Sequence, residues 1–153
     1  MKKQISILAT LVVLVSCGIT KNISKNEQQI LKNEPQILRD HYTFLVEEIS
    51  TDKNYGLSPK YPVEVGGAKD SEGPLNERRY LNALTGPNGE EISYYRAGSC
   101  CPVKSDNDPF GFGSVMLDNY RVTWKNSKDT ISIYINMYDS RKLKAPYGFG
   151  LKK

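Results

Sequence analysis

The sequence predicts an α+β fold, in which an antiparallel sheet of four or five strands packs against one helix. Apolar and polar residues alternate through much of residues 92–138, which is the period of strands with one buried face. A single stretch, which starts at Gly73-Pro74, combines apolar residues at helical spacing with clear start and stop signals. The chain of 153 residues is long enough for one domain with its own core, but a TIM barrel typically needs about 250.

The helix is predicted to begin at Gly73-Pro74 and to end before Gly86-Pro87. Proline at the first helical position costs no hydrogen bond, because the N–H that it lacks would have no partner within the helix. A glycine just past a helix, followed by proline, is a common way for the element to end. Tyr80, Leu81 and Leu84 recur at helical spacing, so we expect them to face the core.

Two strands are predicted to supply the main core-facing side chains of the sheet. One lies in residues 131–137 and the other in residues 120–124, and in both the apolar side chains recur at every second position. These side chains are Ile131, Ile133, Ile135 and Met137 in the first strand and Tyr120, Val122 and Trp124 in the second. Because alternate side chains of a strand share a face, we expect both sets to enter one core beneath the helix.

A bulge or bend is predicted at Asp118-Asn119. The apolar positions before it, Val115 and Leu117, are odd-numbered, whereas those from Tyr120 onward are even-numbered. A change of parity within one strand is typical of an inserted residue. Shorter strands are predicted in residues 42–47, 63–65 and 92–95.

Residues 1–16 are predicted to be a secretory signal peptide. Lys2 and Lys3 stand in front of an apolar run at residues 5–15. A transmembrane helix needs about 20 residues, so this run is too short to span a bilayer. A basic start, a short apolar run and a small residue are typical of a leader that is removed from the mature protein.

The residues at the end of this run, Leu14-Val15-Ser16-Cys17, resemble the lipobox of bacterial lipoproteins. In that family the cysteine sulfur receives a diacylglyceryl group, the chain is cut just before the cysteine, and the new amine is acylated with a fatty acid such as palmitate. The resemblance implies that Cys17 is lipidated and anchors the protein to a membrane. Each buried CH₂ contributes about 0.8 kcal/mol, so two or three acyl chains anchor stably where one does not.

The residue after the lipidated cysteine guides sorting in such lipoproteins, and aspartate at that position retains the protein in the inner membrane. Here the position is Gly18, and residues 18–22 contain no acidic side chain. The resemblance therefore implies an outer-membrane lipoprotein that faces the periplasm. Residues 17–36, rich in Lys, Asn, Gln, Glu and Ser, are predicted to be the lipidated N-terminus and a flexible tether, and residues 37–153 a single domain.

The charge balance argues against nucleic acid as a partner. The chain carries a net charge of +4, from 21 basic and 17 acidic residues. Removal of Lys2 and Lys3 with the leader leaves 19 basic residues against 17 acidic ones, and a balance of +2 is too weak for a nucleic-acid-binding protein. We therefore expect the partners to be the membrane, through the lipid, and a protein or another ligand of the envelope.

The sequence motifs indicate neither a cofactor nor a metal. His41 is the single histidine and lies at the domain edge, where a solvated or capping role is typical. The sequence contains no P-loop, GxGxxG or HExxH motif. We therefore expect no cofactor and no metal site, and we assign no catalytic residue from the pattern.

Two groups of polar side chains have a binding interpretation and a structural one. Four tyrosines on predicted strands either line one face as a stacking platform or sit half-buried with hydrated hydroxyls. Four basic residues either converge on an anion or are spread over solvated faces. The tyrosines are Tyr94, Tyr95, Tyr134 and Tyr138, and the basic residues are Arg78, Arg79, Arg96 and Lys104.

The adjacent cysteines Cys100 and Cys101 are a candidate redox pair. Exposed thiols in the oxidising periplasm seldom stay free, and lipidation of Cys17 leaves these two no other cysteine in the chain. Neighbouring side chains of a regular strand point to opposite faces, and Pro102 favours extended geometry at Cys101, so both features oppose a bond between the pair. Gly98-Ser99 would allow a turn that brings the two together. An ordinary pair, with one cysteine buried and one near the surface, and a disulfide between neighbours both stay open.

Several short motifs in residues 42–150 resemble a family of small bacterial lipoproteins. They are Asn54-Tyr55-Gly56-Leu57, Val65-Gly66-Gly67, Gly73-Pro74-Leu75-Asn76-Glu77-Arg78, the run ALTGPNGEE at 83–91, Gly98-Ser99-Cys100-Cys101-Pro102 and Tyr134-Ile135-Asn136-Met137-Tyr138-Asp139. Members of that family often carry the label 2-dehydro-3-deoxyphosphooctonate aldolase. Enzymes of that name are similar to TIM-barrel synthases and join phosphoenolpyruvate to arabinose 5-phosphate in the cytoplasm. The resemblance transfers no catalytic residue, because no residue here matches a barrel phosphate site.

The sequence leaves three functions, which we rank in order. The first is a non-enzymatic, membrane-anchored module that faces the periplasm and binds a partner or supports the envelope. The second is a thiol or disulfide role at Cys100 and Cys101. The third is the aldolase activity that the family label names, and it comes last because a TIM barrel takes about 250 residues.

Overall fold

The computed structural model describes residues 36–153. The predicted signal peptide, residues 1–16, and the predicted tether up to residue 35 lie outside the described residues. The described part has the α+β architecture that the sequence predicts, with one α-helix, one short 3₁₀ helix and eight strands. It therefore lacks the alternating β-α units of a TIM barrel. No helix within residues 36–153 is long and apolar enough to cross a membrane.

Four strands form the main sheet: β3 (Val63–Glu64), β5 (Ile92–Lys104), β6 (Ser114–Trp124) and β7 (Ile131–Asn136). They lie side by side in the order β3-β7-β6-β5. The pairs β5–β6 and β6–β7 are antiparallel, but β3 runs parallel to β7. The prediction of a purely antiparallel sheet is therefore wrong at this edge. A parallel neighbour needs a crossover connection, and the helix and the β5–β6 hairpin provide it between β3 and β7.

The other elements surround this sheet. Strand β1 (Leu38–Asp40) pairs with β2 (Thr43–Phe44), and β4 (Leu84–Thr85) pairs with β8 (Gly150–Leu151), both antiparallel. A 3₁₀ turn, Ala68–Asp70, precedes the helix α1, Gly73–Leu81. The helix begins where the sequence predicts, with proline in its first turn, but it ends at Leu81 and not just before Gly86. Leu84 is buried as predicted, but it is buried as part of a strand.

The core lies between α1 and one face of the main sheet. Ile133, Ile135 and Val122 are fully buried there, and Tyr120 is almost so. Tyr80, Leu81 and Leu84 belong to the same cluster, so both predicted strand faces and the predicted helix face meet as expected. Three of the predicted core residues are only partly buried at its margin: Trp124, Ile131 and Met137.

The predicted bulge at Asp118-Asn119 is wrong. Strand β6 pairs with β7 without interruption from Asp118 to Val122, and the irregularities lie in the opposite strand, β5. They fall between Arg96 and Gly98 and between Cys100 and Pro102. The change of parity has another cause: Leu117 and Asp118 are both buried, because both faces of the sheet are covered at this point.

We predict that Ile133→Ala destabilises the protein by about 2–5 kcal/mol, the usual cost of truncating a fully buried isoleucine. The side chain is 0% exposed and contributes to the core cluster, so its loss leaves a cavity. Urea denaturation of the two proteins measures the difference. Ile49→Ala is the matched control, because Ile49 is 49% exposed and its truncation should change stability little. Equal costs for the two variants would contradict the assigned core.

Candidate functional site

A disulfide joins the neighbouring residues Cys100 and Cys101. Their Cα atoms are 3.7 Å apart, and Cys101 has a φ of 55°, in the left-handed region that non-glycine residues seldom occupy. The pairing of β5 with β6 skips Cys101, so this residue is the extra one of a β-bulge. A bulge breaks the alternation of side chains, which is why neighbours that a regular strand would separate can meet here. Of the two arrangements that the sequence leaves open, the structure has the disulfide.

An open cleft begins immediately after the disulfide. Its volume is about 480 Å³, and its walls include Pro102, Val103 and Lys104 of β5 and Lys60 from the segment before β3. That size falls within the range of small-ligand pockets. Glu64 also lines the cleft, and its carboxylate forms an ion pair with the Arg141 guanidinium. The two lysines are then the charged groups that a ligand would meet.

A second cluster, which the sequence analysis missed, lies between the helix and the sheet. We call it the buried carboxyl pair, and it consists of Glu77 on α1 and Asp118 on β6. Glu77 is 0% exposed and Asp118 is 5% exposed. The hydroxyl of Tyr120 donates to Glu77 Oε2 at 2.9 Å. The sequence does carry a signal for this pair, because Asp118 has the parity of Tyr120 and Glu77 precedes the core residue Tyr80 by three helical positions.

The charge of Asp118 is neutralised from the strand β5. Arg96 donates to both of its carboxylate oxygens, Nε to Oδ2 at 2.5 Å and Nη2 to Oδ1 at 2.7 Å. The hydroxyl of Ser99 donates to Oδ1 at 2.9 Å and accepts from Arg96 Nη2 at 2.6 Å. A bidentate guanidinium–carboxylate pair is among the stronger polar contacts in proteins, and here one partner is buried.

The two carboxyl groups of the pair differ in ionisation. Burial first, and then the nearby charge of Asp118, raise the pKa of Glu77 to about 8, although the Tyr120 hydrogen bond and the Arg96 charge act in the opposite direction. Hydrogen bonding to Asp118 raises the pKa of the Arg96 guanidinium. Glu77 is therefore largely protonated at neutral pH, and a neutral carboxyl can donate its hydrogen to Asp118. The pair carries one negative charge, which Arg96 balances.

The four basic residues considered as an anion site do not converge. Arg78 is exposed on α1, whereas Arg79 is buried, and its guanidinium binds Asn76 on the same helix and Glu72 just before it. The Arg96 guanidinium is paired with Asp118, and Lys104 lines the cleft at the last position of β5, eight residues after Arg96. These contacts favour the structural interpretation of the group.

The four tyrosines do not form one platform either. Tyr94 packs against Tyr120 on the helix side of the sheet, with its hydroxyl bound to Asn82. Tyr95, its neighbour in the strand, points to the other face and is 63% exposed. Tyr134 is half-buried on the face of Tyr95, but strand β6 separates the two, and Tyr138 lies beyond the end of β7.

His41 is exposed and stacks edge-to-face on Tyr42, with ring centroids 4.5 Å apart. Within residues 36–153, His, Cys, Asp and Glu side chains do not gather in any group of three or more that could hold a metal ion. Cys17, the predicted lipidation site, lies outside the described residues.

Comparison of the chain with protein-family models, with curated proteins and with solved structures found no match.

We predict that the buried carboxyl pair makes the protein less stable as the pH rises. Glu77 has an ordinary pKa of 4.5 and a folded-state pKa of about 8, so its contribution to stability is fully present below about pH 4.5 and is lost as the pH rises through about 8. Thermal unfolding at about pH 5 and at about pH 9 should show the decline in the wild type. Glu77→Gln should flatten it, because the amide can still accept from Tyr120 and donate to Asp118 but does not titrate.

The control for this experiment is Glu91→Gln, since Glu91 is exposed on the surface. That variant should retain the decline of the wild type. If Glu77→Gln also retained the full decline, the ionisation that we assign to the pair would be wrong.

Proposed function

We propose that this chain is a lipid-anchored protein of the bacterial envelope, held in the outer membrane and facing the periplasm, whose folded domain binds a partner or supports the envelope. The observation that carries the anchoring is the motif Leu14-Val15-Ser16-Cys17 after a short apolar run. Lipid on Cys17 would attach the protein to the membrane without a spanning helix.

Two features of the described domain support this proposal. The core cluster runs from Phe44 to Phe149, so the interior of the domain is built from residues that follow the anchor motif and does not need the motif itself. The cleft beside Lys60 and Lys104 gives this domain a concave surface of ligand size. Its charged lining favours a ligand with acidic groups.

We predict that mature protein begins at a lipidated Cys17. Mass spectrometry of the mature N-terminus should find the diacylglyceryl and acyl groups there, and globomycin should cause the full-length precursor to accumulate. Cys17→Ala should lack both lipid groups and should accumulate as the full-length precursor with or without globomycin, because the cut follows lipidation of the cysteine. An unmodified Cys17 in the mature protein, or no precursor in the presence of the inhibitor, would refute the anchoring.

The binding role is tested in the same cells. A photoreactive residue in place of Lys60 should form a cross-linked adduct in envelopes. Excess wild-type protein should compete for the partner and prevent the adduct, whereas excess Lys104→Glu protein should not. An adduct that both proteins remove equally would exclude the cleft as the binding surface.

A thiol–disulfide role is the second candidate function, and the disulfide between Cys100 and Cys101 beside an open cleft favours it. In the exchange, a partner thiolate attacks one sulfur, the S–S bond breaks, and the other cysteine leaves as a thiolate that takes up a proton. A second thiol of the partner then displaces the bound sulfur. The partner dithiol is oxidised to a disulfide, and the two cysteines are reduced to thiols.

We predict that the two cysteines are linked in the native protein. Thiol counting on the mature, unfolded protein without reductant should find neither Cys100 nor Cys101 free, and reduction should add 2 Da to the mass (about two hydrogens). Cys100→Ser is the control, since it leaves Cys101 countable. Two free thiols without any mass shift would eliminate this role, whereas a bond that opens near the redox poise of the periplasm would favour it over simple binding.

A further inference from the structure

The outer end of the β5–β6 hairpin carries two phenylalanines that point into solvent. Phe110 is 75% exposed and Phe112 is 81% exposed, which makes them the most exposed large apolar side chains in residues 36–153. Their ring centroids are 6.3 Å apart. Two adjacent exposed aromatic rings are costly in water and are typical of a surface that binds something apolar. We call residues 105–113, which contain them, the hairpin tip.

The hairpin tip has an internal hydrogen-bond framework. The Asp108 carboxylate accepts the backbone N–H groups of Phe110 and Gly113, each at 2.9 Å. These backbone hydrogen bonds hold the pKa of Asp108 below its usual value. Ser105 closes the base of the loop by donating its N–H to the Gly113 carbonyl at 3.3 Å. The rings are thus presented by a hydrogen-bonded turn in which the N–H groups of Phe110 and Gly113 already have an acceptor, which lowers the cost of removing them from water.

The hairpin tip lies at the end of the domain where the described chain begins. Asp139 accepts from the Ser105 hydroxyl at 2.9 Å and from the Asn107 amide at 2.8 Å, so it fixes the base of the tip. Two positions further along, the Arg141 carbonyl accepts from the side chain of Gln36 at 2.5 Å. Gln36, the first described residue, therefore binds the same short segment, residues 139–141, that holds the base of the tip.

The length of chain before Gln36 limits how far this end can be from the membrane. Cys17 and Gln36 are 19 positions apart, so even a fully extended chain between them spans at most about 60–70 Å. An orientation with the Gln36 end toward the bilayer needs the shortest stretch of that chain. The phenylalanines then face the membrane that the lipid on Cys17 would enter.

The charged groups around the hairpin tip do not favour an anionic surface. Asp106 and Asp108 lie within the tip and Asp139 contacts its base, whereas Lys104 precedes it and Lys69 binds the Asn107 side chain at 2.8 Å. Three acidic and two basic groups give no attraction to anionic lipids, so the two rings determine what is bound.

We propose that Phe110 and Phe112 insert into the boundary between head groups and acyl chains of a phospholipid bilayer, as a second membrane contact next to the lipid anchor. The orientation rests on the proposed anchoring at Cys17. The insertion itself rests on the exposed rings and their fixed turn. The contact holds the domain against the membrane surface, with the cleft beside Lys104 close to the head groups.

The test uses the mature protein, as isolated from cells, in vesicles of phosphatidylcholine, a zwitterionic lipid, with and without bromine atoms on the acyl chains. Phe110→Trp places an indole at the hairpin tip, and the buried depth of about 5–10 Å expected for an interfacial side chain brings it within reach of the bromines, so that its emission should fall about twofold. Tyr95→Trp is the control, because Tyr95 is 63% exposed near the other end of the hairpin, and its added emission should not change. Emission of the wild type, from Trp124, is subtracted from both.

The outcomes distinguish a bilayer from a protein as the partner of the hairpin tip. Equal emission of the Phe110→Trp variant with both lipids overturns the proposal. So does a photoreactive residue in place of Phe112 that forms protein adducts and no lipid adducts in intact envelopes, because the tip would then be a protein-binding surface. The mass of the mature N-terminus distinguishes failure of this proposal from failure of the proposed anchoring. Lipid on Cys17 without quenching supports the anchor and rejects the insertion. Quenching without lipid on Cys17 supports the insertion and rejects the anchor.

Discussion

Strand β5 has two more residues than the strand that it pairs with, and the arrangement of the site depends on where they are accommodated. Ile92 lies opposite Trp124 and Lys104 lies opposite Ser114, so 13 residues of β5 span the same length as 11 of β6. The surplus appears as two bulges, one at Ala97 and one at Cys101. Each bulge brings onto one face side chains that strict alternation would separate.

The first bulge brings together the groups that balance the charge of the buried carboxyl pair. Arg96 and Ser99 are three positions apart and would point to opposite faces of a regular strand, yet both reach Asp118 because Ala97 is inserted between them. Gly98, with a φ of 145°, takes a conformation there that other residues rarely adopt. Since Arg96 balances one charge only, a second carboxylate beneath the helix would be unpaired, and the cost of burying it keeps Glu77 protonated.

The sequence predicted the structure correctly where one face of an element is buried and the other is exposed to solvent. The period of two correctly assigned Ile133, Ile135 and Val122 to the core, because burial on one face leaves a regular pattern. It failed at Asp118, where both faces are covered, so that a buried polar residue looks like a shift in register. It could not place the bulges, because residues 96–101 have no period, and it missed the parallel pairing of β3, whose two residues depend on contacts distant in sequence.

The second bulge lies where the sheet narrows. Asp118 and Ile135 are the last pair between β6 and β7, and Cys100 lies opposite the next residue, Leu117. From there outward the hairpin has lost its β7 neighbour, and the disulfide, the cleft and the exposed rings all belong to this outer part. A two-stranded ribbon alone is only marginally stable in water. Hydrogen bonds to Asp139 tie its end back to the domain, so the outer part can carry exposed groups in a fixed orientation while the inner part carries the core.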